Sequence, residues 1–66
     1  MNNKFVIKFD EVSELFVMNG WAERTVGAHL ENLAKVFGVL DVFSKATSES
    51  HALAILQSSG VSVEIE

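Results

Sequence analysis

Two histidines and nine carboxylates are the side chains of this 66-residue chain with the most scope for chemistry. His29 and His51 stand 22 positions apart, and neither has a second ligand at a spacing such as HxxxH, so no metal centre is expected. The chain has no cysteine, no tyrosine and no GxSxG run, which leaves a nucleophile–base pair without support. Its four glycines are too widely spaced to form a phosphate-cradling loop. Both histidines read as helix-surface residues, His51 among Ser48, Ser50 and Ala52 in the manner of a helix terminus. The expectation is a protein that is not an enzyme and takes no cofactor.

The carboxylates point to binding instead. The net charge is −4, with −1 in residues 1–20, zero in residues 21–45 and −3 in residues 46–66. No basic patch offsets the acidic ends. Asp10, Glu11 and Glu14 are expected on or beside a hairpin turn, and Glu64 and Glu66 on the open face of a closing strand. Carboxylates held at intervals on a small rigid scaffold can imitate a phosphate backbone and occupy a basic groove. Glu23 and Glu31, flanking the apolar stripe of a central helix, would add to that surface. The plainer reading is a solvated acidic surface that keeps a small protein soluble, with Glu64 paired to Lys4 or Lys8.

The elements that must position these residues follow from hydrophobic period. One domain spans residues 1–66, near the lower size limit for a core without staples. With 48% hydrophobic residues and five phenylalanines, that core can be dense. KFVIKF at 4–9 alternates Phe5, Ile7 and Phe9 against Lys4, Val6 and Lys8, as a half-buried strand does. LFVM at 15–18 reads as its partner strand, although Val12, Leu15, Phe16 and Asn19 also fit a helix capped by Asp10 and stopped by Gly20. A first strand needs a partner, which favours the hairpin.

Val26, Leu30, Leu33, Phe37 and Leu40 then recur every three or four residues, the mark of a helix face, with Gly38 as a C-terminal stop. VLDVFS at 39–44 reads as a strand, and ESHALAILQSS, with N-caps available from Thr47 and Ser48 and with Gly60 beyond it, reads as a second helix. Val61, Val63 and Ile65 alternate with Ser62, Glu64 and Glu66 in a final strand. The expected fold is α+β, in the order β-β-α-β-α-β, with a mostly antiparallel sheet and two helices on one face.

The open face would carry Val6 with either Leu15 and Val17 or Phe16 and Met18, so large apolar side chains are left over. Phe16 and Trp21 are therefore counted with Asp10, Glu11, Glu14, Glu23, Glu31, Glu64 and Glu66 as candidate partner contacts, for a protein partner or a second copy. Trp21 could equally close the edge of the core. MNNKFVIKFD is too short and too interrupted for a signal peptide, and no apolar run approaches a membrane span. A soluble, intracellular protein, monomeric or homodimeric, is expected.

One local stretch favours a different partner. ERTVGAHLENL followed by FGV, within residues 23–39, resembles the recognition helix of LuxR-type regulators, with Asn19-Gly20-Trp21 as the turn of a helix-turn-helix. That resemblance implies a DNA-binding transcriptional regulator. Phosphate contact needs several cations, however, and this helix offers Arg24 and Lys35 against Glu23 and Glu31. Gly27, Ala28 and Glu31 would face the DNA, and none suits base reading.

Over most of its length, through FVIKF, LFVMNGW, VFSKATSESHALAIL and VSVEIE, the chain resembles small proteins of phages and mobile elements. Among these it is most similar to acidic anti-CRISPR inhibitors. The resemblance implies binding to a CRISPR effector complex at its DNA-entry groove, in the cytoplasm of a bacterial host, without direct contact to nucleic acid.

Overall fold

A computed structural model describes residues 3–66. Strand β1 (Asn3–Asp10) pairs antiparallel with β2 (Leu15–Met18), which pairs antiparallel with β3 (Trp21–Glu23). Three helices follow, α1 (Val26–Val36), α2 (Leu40–Phe43) and α3 (Glu49–Ser58), and then β4 (Val61–Ile65). Strand β4 lies beside β1 in parallel, so the sheet order is β3-β2-β1-β4. The architecture is α+β, with a mixed sheet in which two of the three pairings are antiparallel.

Period decides which sheet face the helices cover. Phe5 and Ile7 of β1, Phe16 and Met18 of β2, and Val61 and Val63 of β4 fall on one face by register. They pack with Leu30, Leu33 and Ala34 of α1 and Ala52 and Leu56 of α3. Each large aliphatic side chain buried there contributes about 1.5–3 kcal/mol. Phe5 meets the edge of Phe37, their ring centres 6.2 Å apart, and Phe9 packs against Phe16 at 5.2 Å. The opposite face carries Val6, Leu15 and Val17, all half-buried, among Lys4, Lys8, Asp10, Glu64 and Glu66. Of the two apolar sets on the second strand, Leu15 and Val17 are the ones left on the open face.

The helix ends follow their capping residues. The hydroxyl of Thr25 accepts from the Ala28 amide at 3.1 Å, and the hydroxyl of Ser48 accepts from the His51 amide at 3.1 Å. Gly38, at φ +72°, closes α1: its amide bonds to the Lys35 carbonyl while the Val39 amide reaches the Ala34 carbonyl, a pairing that needs a left-handed residue. Thr25→Ala is expected to lower the unfolding free energy by about 1 kcal/mol, read from urea denaturation.

Two expectations are corrected. Val39–Ser44 is not a strand: Phe43 donates its amide to the Val39 carbonyl, and Leu40–Phe43 is helical. Leu40 and Phe43, three apart, both turn toward the core in this conformation, and that packing outweighs the β preference of Val42 and Phe43. The remaining strand is β3, entered through Asn19-Gly20, whose φ values of 52° and 78° make the two-residue turn that suits a hairpin. Leu40 is likewise not part of the first long helix, which ends at Val36.

The segment before α1 is strand β3, so the helix-turn-helix arrangement is absent from residues 10–39. The sheet-facing side of α1 is core, with His29, Leu30, Leu33 and Ala34 buried.

Candidate protein-binding surface

The hairpin turn at the end of β1 is built by Asp10. Its carboxylate accepts from the Val12 amide at 3.1 Å and from the Ser13 hydroxyl at 2.9 Å, while its carbonyl accepts from the Glu14 amide at 2.7 Å. Short polar side chains favour turns through such local bonds. Glu11, Val12, Ser13 and Glu14 are all exposed on this turn.

Glu14 sits at φ +59°, a conformation that suits glycine or asparagine better than glutamate. Glu14→Gly is expected to raise the unfolding free energy by roughly 0.5–1 kcal/mol, measured by chemical denaturation, while removing a carboxylate. A fall in stability would show that the glutamate side chain supports the turn.

The parallel pairing of β4 with β1 brings two more carboxylates to the same end. Ile65 is in register with Ile7, and the Glu66 amide donates to the Ile7 carbonyl at 2.8 Å. Glu66 therefore lies beside Lys8, about 7 Å of strand short of Asp10, with Glu64 a further 7 Å or so back on the same face. Lys8 approaches the Glu66 carboxylate at 3.8 Å, an exposed pair that contributes little to stability. It is Glu66 rather than Glu64 that pairs with Lys8. Asp10, Glu11, Glu14 and Glu66 thus lie toward one end of the sheet, with Glu64 farther back on the same face, opposite Val6 and flanked on β1 by Lys4 and Lys8.

The other candidate residues lie elsewhere. Glu23 is half-buried under α1, where its carboxylate accepts from the Trp21 indole nitrogen and from the Asn32 amide at 3.3 Å. Glu31 pairs with Lys35 one helical turn on, at 3.7 Å. Phe16 is on the helix-covered face, half-buried against the core and against Phe9. Trp21 does not close the core: it is 61% exposed and lines a groove of about 340 Å³ with Met18, Leu33 and Val36.

His29 is a residue that sequence reasoning misplaced. It is fully buried rather than on the helix surface, and its Nε2–H donates to the Phe16 carbonyl at 2.8 Å, pinning α1 to β2. Its Nδ1 is buried with no partner among the described residues. The signal was present, since residue 29 adjoins Leu30 and precedes Leu33 by four on the inward stripe. His51 is exposed, and its Nδ1 accepts the Thr47 amide at 3.3 Å, an additional cap for α3.

No helix among the described residues is long and apolar enough to cross a membrane. Comparison with protein-family models, with characterised proteins and with solved structures found no match to this chain.

Proposed function

We propose that this chain is a non-enzymatic binding protein whose acidic end docks on a basic, nucleic-acid-binding surface of a protein partner. The observation that supports the reading is the parallel β1–β4 pairing, which puts Glu64 and Glu66 on the same sheet face as Asp10, in line with the turn that carries Glu11 and Glu14. Carboxylates on a rigid sheet end keep their spacing without an ordering cost at binding, and a groove shaped for phosphates recognises such an array. The partner implied by the resemblance to anti-CRISPR inhibitors is a CRISPR effector complex in a bacterial cytoplasm, held at its DNA-entry groove.

The test is competition. A purified, guide-loaded CRISPR effector complex is given a labelled target duplex with and without the protein. Displacement of the duplex is expected, weakening as salt rises. Displacement that ignores salt would point instead to apolar recognition, for which the Trp21 groove offers a surface. Retention of the naked duplex by the protein itself at moderate salt would favour a DNA-binding regulator.

A further inference from the structure

Strand β4 is an edge strand, and its backbone bonding has a direction. The Asn3 amide donates to the Gly60 carbonyl and the Glu66 amide donates to the Ile7 carbonyl, both at 2.8 Å. In a parallel ladder only alternate residues of a strand bond to a given neighbour. Gly60, Ser62, Glu64 and Glu66 therefore turn their backbone groups toward β1. Val61, Val63 and Ile65 turn theirs outward, and among the described residues no strand lies beyond them. Val61 is almost fully buried, backbone included, so the open part of that edge is Val63 and Ile65, with two amides and two carbonyls.

The opposite edge offers much less. Strand β3 has only three residues, and a very short edge strand is a poor template for pairing. Strand β4 also contains no proline and no lysine to discourage an added strand.

Side chains on the two faces of β4 say what an added strand would carry. On the open face it would run beside Ser62, Glu64 and Glu66; on the helix-covered face it would run beside half-buried Val63 and Ile65, the latter 39% exposed. We infer that β4 accepts an extended segment of the partner as a fifth strand, one that alternates basic residues with aliphatic residues. Backbone bonds supply the affinity of strand addition and alternate side chains supply its selectivity. A second copy of this chain is the poorer occupant, because it would bring its own Glu64 and Glu66 to the same face. The inference rests on the reading of the acidic end as a docking surface and names the element that docks.

The experiment uses the intact protein, isotopically labelled, and a fluorescent heptapeptide alternating lysine and valine. Two further peptides carry N-methyl groups, each on one alternate set of amides. Binding of the parent peptide is expected to weaken with salt and to shift the amide signals of Val63 and Ile65. One methylated peptide should bind at least tenfold more weakly, and the other should bind as the parent does.

If both methylated peptides bind like the parent, contact is through charge alone; strand addition is then overturned while the acidic docking surface stands. Absence of salt-dependent binding by every peptide would remove both. Concentration-dependent self-association that protects the amides of Val63 and Ile65 without peptide would assign the edge to a second copy and overturn the basic segment. Because the protein is unaltered throughout, none of these outcomes depends on a variant that fails to fold.

Discussion

His29→Ala is expected to lower the unfolding free energy by about 3 kcal/mol, a large fraction of the roughly 3–10 kcal/mol available to a domain of this size. Two losses add. An imidazole with no exposed surface leaves a hole between α1 and β2, and truncation of a buried ring typically costs several kcal/mol. The bond to the Phe16 carbonyl is also lost, worth about 1 kcal/mol.

His29→Leu separates the two contributions. Leucine refills most of the volume and removes the unpartnered Nδ1, so a loss of about 1 kcal/mol is expected. The Phe16 carbonyl is not stranded in either variant, because Phe16 also faces Glu23 across the β2–β3 ladder. Urea denaturation of the two variants measures both values. A loss below 1 kcal/mol for alanine would show that α1 is held to the sheet by Leu30 and Leu33 without the histidine.

The second large effect concerns binding. Replacing Glu11, Glu14, Glu64 and Glu66 together by lysine is expected to weaken binding to a basic protein surface by about 100-fold at moderate salt, taking somewhat under 1 kcal/mol per exposed charge. Each reversal changes the charge by two, so the four together move the chain from −4 to the opposite sign. Asp10 is left in place because its carboxylate holds the turn. The unfolding midpoint should change little, since all four residues are exposed and, among the described residues, the one ion pair lost is the Lys8–Glu66 contact. In the competition assay with a labelled duplex, the variant should fail to displace DNA and should lose the salt dependence. Displacement equal to that of the unaltered protein would end the phosphate-mimicry reading. The conservative control, the same four positions as glutamine, should fall between the two.

The local parts of the fold were legible because their signals are local. KFVIKF shows its period within six residues, and the stripe from Val26 to Phe37 shows a helix within four turns. Gly38 and Gly60 mark helix ends through a backbone conformation that few other residues adopt. Asn19-Gly20 carried an equally strong hairpin signal. The expected order passes from the second strand to the helix, so the short third strand beyond this turn goes unread, and only the resemblance of Glu23–Val39 to a recognition helix makes it a turn between helices. Val39–Ser44 misled for the opposite reason. Its residues favour strands one by one, but six residues give too short a window for the core to be heard over propensity.

By itself, the sequence determined an α+β domain, the inward faces of the first and last strands, the core stripe of α1 and the chain's acidity. Each rests on composition or on a period of two or 3.6 residues, which survives whatever the rest of the chain does. Only the tertiary structure decided which carboxylates stand together. Glu64 and Glu66 are more than fifty positions from Asp10 and Glu11, and strand order and direction depend on pairings between residues that distant. The same pairing left β4 at the sheet edge, with Val63 and Ile65 facing away from β1 and no strand beyond them among the described residues, while the β2–β3 pairing brought Glu23 under α1 to meet Trp21 and Asn32. Charge can be counted along a chain, but a surface exists only once distant strands have been set side by side.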